Sequence, residues 1–425
     1  MPYNPLKALT KIGWLAGACM ASAWAVGLAQ PTLVVNPSAE VDPSANLSLT
    51  IRCLAEDIEV GDPIPIEFTI TNQDASEYSY MDRNYDRGGR MNEYELSALN
   101  AEGKTMPDPR ASLGPTFGGG LSAKGKLAPG ASFQKTIDLN RWALIREPGV
   151  YQVTGNYSWG NGSVMSKSIS VTVKPRTLAE MDAYVSGLLS ELAKATSEGG
   201  SPPEELVQKL MYTGSPKILP GLLDSMYASK SGAFWQSEAI LCYVPVSPEI
   251  RKLLLEAAVK RGLAPNLDYI LSRYGAGPGP DDWMKSVVTP EEIWPAIARS
   301  LAEDNPERWD AGALAAQRYG NDAFTARLIA LAEQPRAAGN GPDHSGRTQA
   351  IYALALNRTD DSVKELKKLL ESQDRATRSK AAAAIRTAYL YRGDSLGRPL
   401  HMDDFDESYQ NGAVPNNLAK GGAAK

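Results

Sequence analysis

The hydrophobic period changes once along this chain, and that change constrains the fold more than any other feature. From about residue 47 to 174 apolar and polar side chains alternate. Leu49, Ile51 and Cys53 fall on one side and Ser48, Thr50 and Arg52 on the other. Ile64, Ile66, Phe68 and Ile70 repeat the pattern, as do Phe133, Ile137 and Leu139, then Tyr151 and Val153, then Ile169, Val171 and Val173. A period of two is that of half-buried antiparallel strands, because successive side chains leave opposite faces of the backbone. Gly61-Asp62, Glu102-Gly103, Pro129-Gly130, Pro148-Gly149 and Asn161-Gly162 punctuate the runs as turns. Asn161-Gly162 is the strongest hairpin signal, since both residues tolerate positive φ. About seven short strands in roughly 130 residues predict an all-β sandwich.

From residue 177 the period becomes that of a helix. Thr177-x-x-Glu180 and Ser201-x-x-Glu204 have the form of capping boxes, and Pro203 suits a first helical turn. A helix-opening signal then recurs at Ser215-Pro216, Ser247-Pro248, Thr289-Pro290, Asn321 and Asp360. Partner helices are expected over 231–243, 264–274, 305–319 and 343–357, and Asp374 caps a closing helix that ends near Tyr391. Helix pairs recurring every ~30–45 residues predict an all-α helical-repeat array, an α-solenoid.

Two resemblances rest on these residues. Pro148-Gly149-Val150-Tyr151-Gln152-Val153 resembles the Gly-x-Tyr-x-Cys corner of Ig-like domains, with Val153 in place of the cysteine. The stretch from Glu59 to Asn72 is similar to the second strand of exported bacterial Ig-like modules. The helical region resembles HEAT-type repeats. Both resemblances imply a fold and neither implies an activity. The expected organisation is a signal peptide over 1–29, an Ig-like β-sandwich over 30–175 and HEAT-like repeats over 176–391. A tail over 392–425, disordered or draped on the surface, completes it.

Composition removes several classes of function. Net charge is −5, so no basic excess exists to drive nucleic-acid binding. Only His344 and His401 are present, which leaves too few imidazoles for a clustered metal site. Lys7 and Lys11, the uncharged run Ile12–Leu28 and small residues up to Ala29 have the form of a cleaved export signal. Cleavage leaves Cys53 and Cys242, expected as buried free thiols, and no later segment is apolar enough to span a membrane. The chain is therefore expected to be periplasmic or secreted.

Catalytic signatures lack their context. Gly393-Asp394-Ser395-Leu396-Gly397 spells a nucleophile-elbow motif, but a helix precedes it and Arg398-Pro399 follows it, so it reads as a helix stop. His401 beside Asp403, Asp404, Asp406 and Glu407 reads as an acidic solvated tail. Asp82, Asn84, Asp86 and Glu93 imitate a calcium loop, yet Arg87 stands where the turn needs glycine. No catalytic residue, metal or cofactor is assigned. The same loop interleaves tyrosines with arginines, the residue types enriched at binding hot spots. Tyr78, Tyr80, Arg83, Tyr85, Arg87 and Arg90, with Trp159 on the hairpin, form the candidate binding surface. The resulting expectation is a non-enzymatic binding or scaffold protein that recognises a protein or peptide in the cell envelope. A carbohydrate- or polymer-binding protein and a hydrolase without a recognisable motif are the alternatives. Paired acidic residues in a cleft with a raised pKa would favour the hydrolase.

Overall fold

The computed structural model describes residues 46–390, apart from 84–89, 92, 114–121, 160–161, 199–201, 230–232, 276–286, 304, 321, 335–345 and 358. The expected export signal, Tyr85, Arg87, both histidines, the Gly393–Gly397 motif and the tail from 392 lie outside the described residues. The chain combines β-sheets with twelve α-helices among the described residues, a mixed multidomain architecture.

The first half is built from β1 (Leu47–Cys53), β2 (Ile58–Glu59), β3 (Pro65–Asn72), β4 (Tyr78–Arg83) and β5 (Tyr94–Leu99). It continues with β6 (Ser122–Leu127), β7 (Ser132–Asp138), β8 (Gly149–Trp159), β9 (Gly162–Met165) and β10 (Ile169–Lys174). One sheet has the order β1-β3-β7, a second β2-β10-β8-β5 with β9 also on β8, and β4 pairs with β6 alone. The alternation in β1 and β5 is realised residue by residue: Leu49, Ile51, Leu96 and Ala98 are buried while Thr50, Arg52, Glu95 and Ser97 are exposed.

Side chains of the two larger sheets share one core, including Ile51, Ile66 and Phe68 from one and Leu96, Tyr151, Val153 and Val171 from the other. They pack tightly at Gly155 on β8, where a Cβ would stand 2.8 Å from Ile51 Cγ2. The expected hairpin joins β8 to β9, but Trp159 pairs with Gly162, so the connection is 160–161 rather than Asn161-Gly162. Gly162 is a strand residue beneath the Trp159 ring, where a Cβ would fall 2.6 Å from Cε2.

The second half holds six successive helix pairs. First helices are α1 (Leu178–Ser197), α3 (Leu219–Ala228), α5 (Pro248–Arg261), α7 (Pro290–Ala302), α9 (Thr325–Ala332) and α11 (Asp360–Leu370). Second helices are α2 (Glu204–Tyr212), α4 (Phe234–Glu238), α6 (Leu267–Arg273), α8 (Pro306–Tyr319), α10 (Gly346–Asn357) and α12 (Arg375–Leu390). Some first helices neighbour first helices, as α1 does α3, α5 does α7 and α9 does α11, and some second helices neighbour second helices, as α2 does α4, α6 does α8, α8 does α10 and α10 does α12. One apolar core, distinct from that of the sheets, runs through all twelve.

Helix starts follow the local chemistry. Thr177–Glu180 and Thr289–Glu292 are complete capping boxes. Ser247 accepts from Ile250 N, and Asp374 accepts from Ala376 N and Thr377 N. Two starts differ from expectation. Pro203 is the N-cap of α2 instead of sitting in its first turn, and α11 is capped by Thr359, whose hydroxyl reaches Ser362 N, with Asp360 inside the helix.

Candidate binding site at the junction of the two halves

The turn after β2 is clamped by the residue that leads into α1. Arg176 reaches Glu59 at 2.9 Å, Asp62 at 2.8 Å and the Val60 carbonyl at 3.0 Å, and its guanidinium lies 4.2 Å from the Tyr184 ring centroid. Gly61, in the same turn, has φ +94° and a Cβ there would meet Met181 at 3.0 Å, so glycine serves both backbone and packing.

A second set of contacts joins the short 3-10 turn Leu139–Arg141 after β7 to α2 and to the segment after α4. Tyr212 donates its hydroxyl to Asp138 Oδ2 at 3.0 Å, and Tyr243 donates to the Asn140 carbonyl at 3.1 Å. Burial raises the Asp138 pKa against the opposing hydrogen bond from Tyr212. Arg146 donates to the Tyr243 carbonyl at 2.7 Å and borders a shallow surface crevice lined also by Asn140, Tyr212 and Gly214.

A buried polar cluster of the junction surrounds Glu238, the last residue of α4. The next turn, Ala239–Tyr243, is a π-helix, with Val244 N donating to the Ala239 carbonyl at 3.1 Å. Such turns are frequent at functional sites. Glu238 is 3% exposed. Two arginines of the β half converge on its Oε1: Arg110 Nη1 at 3.5 Å and Arg141 Nη2 at 3.4 Å. Charge-assisted contacts of this kind normally measure ~2.7–2.9 Å. Arg110 Nε, Arg141 Nε and Glu238 Oε2 are enclosed without any hydrogen-bond partner. Arg90 lies beside them, donating to Asp108 and to the Arg141 carbonyl and facing the Trp142 ring. Asp108 also accepts from Arg110 N at 2.8 Å. Cys242, one turn on from Glu238, is buried, and burial raises its thiol pKa far above the ordinary range. Cys53 is half-buried, and neither thiol is in a disulfide.

From there a polar row continues along the second helices. Arg318 on α8 reaches Asp268 on α6 at 3.6 Å and donates to Ser272 Oγ at 3.2 Å. Gln317 donates to Gln349 Oε1 on α10 at 2.7 Å, and Arg347 donates to Thr377 Oγ1 on α12 at 2.7 Å. Tyr269, Gln317, Arg318 and Tyr352 on this row are half-buried, so part of each faces solvent. Asp310 on α8 is the outlier. Its Oδ1 is enclosed without a partner, and burial, with the nearby Asp268, raises its pKa to about 7. Among the described residues no group of three or more His, Cys, Asp and Glu has the placement to hold a metal ion. No helix among them is long and apolar enough to cross a membrane.

The residues expected to form a Tyr/Arg surface are placed differently. Tyr78 and Trp159 are buried in the β core, their rings edge to face at 6.4 Å. Tyr80 is half-buried and stacks on Phe133 at 4.2 Å. Arg83 is the last residue of β4, and Tyr85 and Arg87 lie outside the described residues. Of the candidates whose side chains are described, Arg90 alone enters the junction. Arg110, Arg141 and Glu238 were not singled out by sequence; their signal is a lone charge set in an apolar run, as in Leu139-Asn140-Arg141-Trp142-Ala143-Leu144 and Ser237-Glu238-Ala239-Ile240-Leu241.

No protein-family model matches the sequence, and no curated protein does.

Proposed function

We propose that the chain is an exported, non-enzymatic binding or scaffold protein, an Ig-like sandwich fixed at one end of a HEAT-like helical array. One observation carries this reading: the polar row on successive second helices, stitched pairwise from α6 to α12 and continued at its start by the Arg/Glu cluster of the β half. Arrays of stacked helix pairs offer extended surfaces suited to protein or peptide partners. The Ig-like part of the reading is supported by Tyr151, whose hydroxyl donates to the Glu147 carbonyl four residues upstream at 2.7 Å, the hydrogen bond of a tyrosine corner.

The test is site-specific photo-crosslinking in the native envelope. Probes at Gln317 and Tyr352 should capture the same partner, and a probe at Lys252, on the outer surface of α5 with its side chain 76% exposed, should not. Equal capture from all three positions counts against the reading. Export predicts Gln30 as the mature N-terminus, read by mass spectrometry; an intact Met1 in the cytoplasmic fraction overturns that part.

The hydrolase alternative rests on Asp310, whose pKa is raised to about 7 by burial and by the nearby Asp268, itself buried and facing Arg318. Hydrolysis of a glycoside or ester panel that disappears in Asp310→Asn would favour it.

A further inference from the structure

We propose that residues 32–36, which lie outside the described residues, add an antiparallel strand to the free edge of β1 and close that side of the β half. The site is independent of what the second helices bind.

The edge is defined by the hydrogen-bond parity of β1. Gln73 N donates to the Asn46 carbonyl at 2.8 Å, and Leu54 N donates to the Pro65 carbonyl at 2.9 Å. Bonded pairs recur at every second residue of an antiparallel ladder, so in this register Ser48, Thr50 and Arg52 also bond to β3. The backbone N–H and C=O groups of Leu47, Leu49 and Ile51 therefore point the other way. Among the described residues no strand lies on that side, because β1 ends the order β1-β3-β7. The opposite end of the sheet has a different character. Asn72 N donates to the Ala131 carbonyl and Leu139 N to the Ile64 carbonyl, so Ser132, Gln134 and Thr136 turn their backbone outward on β7. Their side chains are polar and exposed, as suits an edge left to water. On β1 the outward backbone belongs to three residues whose side chains are buried in the sheet core.

The sequence immediately upstream supplies the occupant. Thr32-Leu33-Val34-Val35-Asn36 is a run of mostly strand-forming residues between Pro31 and Pro37. Proline has no N–H for a ladder, so the two prolines bound the strand. Residues 37–46, with Pro37, Ser38, Asp42, Pro43, Ser44 and Asn46, have the chemistry of a connection. Ten residues reach at most ~33–36 Å, ample for the ~4.8 Å between neighbouring strands, and too few for the crossover that a parallel strand requires. Side chains of paired residues share a face, so the residues bonded to Leu47, Leu49 and Ile51 must also face the core. Leu33 and Val35 fill that role and leave Val34 outward. Val164 on β9, a strand facing β1, is half-buried against the sheet core and offers apolar surface to cover.

The test is hydrogen exchange of the full mature chain, resolved to single amides by mass spectrometry. The Leu33 and Val35 amides should exchange at least ~10-fold more slowly than in a free peptide of residues 30–37. Val35→Pro removes a ladder donor and should strip protection from Leu47, Leu49 and Ile51. Val34→Pro, at a position whose N–H faces solvent, should leave that protection in place. Free-peptide rates at Leu33 and Val35 overturn the proposal. So does unchanged protection of Leu47, Leu49 and Ile51 in Val35→Pro, which would place the segment elsewhere. Size-exclusion chromatography over a concentration series decides the remaining case. A monomer throughout supports docking within one chain, whereas protection that appears only with a dimer assigns the strand to a second copy and overturns it.

Discussion

The Tyr243 hydroxyl donates to the carbonyl oxygen of Asn140, 103 positions earlier in the chain. The Asn140 side chain meanwhile accepts from Ile64 N at 2.8 Å and donates to the Asp62 carbonyl at 3.0 Å. One residue therefore organises the β2–β3 turn and receives the helical half. Asn140→Ala leaves the Ile64 N–H buried without a partner and should cost about 2–4 kcal/mol. Tyr243→Phe removes one hydroxyl and should cost about 0.5–1.5 kcal/mol. Urea denaturation of the full chain measures both, and equal losses would show that Asn140 has no organising role.

Gly155→Ala sets two opposing effects against each other. Alanine lowers the entropy lost on ordering a strand residue by about 0.5–1 kcal/mol. Its Cβ would sit 2.8 Å from Ile51 Cγ2 and 3.0 Å from the Phe68 ring, both in the buried core between the sheets. Overpacking of this kind costs ~1–3 kcal/mol and outweighs the entropy gain. A lowered denaturation midpoint is expected; an unchanged or raised one would mean that the two sheets separate at little cost.

Leu254 on α5 is fully buried, whereas Lys252 is exposed and paired with Glu256 one turn on. Leu254→Asp loses the apolar burial and places a carboxylate in the core, so it should exceed the ~2–5 kcal/mol typical of Leu→Ala and abolish the folded helical signal in circular dichroism. Lys252→Glu should change stability by no more than about 0.5 kcal/mol. Comparable effects from the two substitutions would show that α5 is not held by the shared helical core.

Asp310 makes stability depend on pH. Its folded pKa, about 7, lies above the unfolded value near 3.9, so between these values the folded state holds a proton that the unfolded state has lost. That contribution is fully present below about pH 4 and disappears as pH rises through 7. It amounts to ~4 kcal/mol at most, from three pH units at 1.36 kcal/mol each. Asp310→Asn should flatten this part of the profile and be more stable than the wild type at pH 8. A wild-type profile unaltered by the substitution between pH 4 and 8 would show that Asp310 titrates normally.

Local signals carried much of this molecule. Alternation in β1, β3 and β10 and the caps at Thr177, Ser247, Thr289 and Asp374 were legible because side-chain direction and orphan helix N–H groups are set by residues within a few positions. Periodicity also marked Ile250 and Leu254 as core, although it grouped Leu253 with them, and Leu253 is 48% exposed. Tertiary structure alone decided which polar and aromatic residues are buried. Tyr78 and Trp159 read as hot-spot residues because an amphipathic ring suits a surface or a core equally well; only the stacking of the sheets placed them inside. Glu238 and Arg141 are 97 positions apart, and no pattern in either neighbourhood pairs them. Their meeting depends on how the 3-10 turn after β7 docks against the π-turn after α4, and docking is a property of two finished surfaces, which short-range periodicity does not encode.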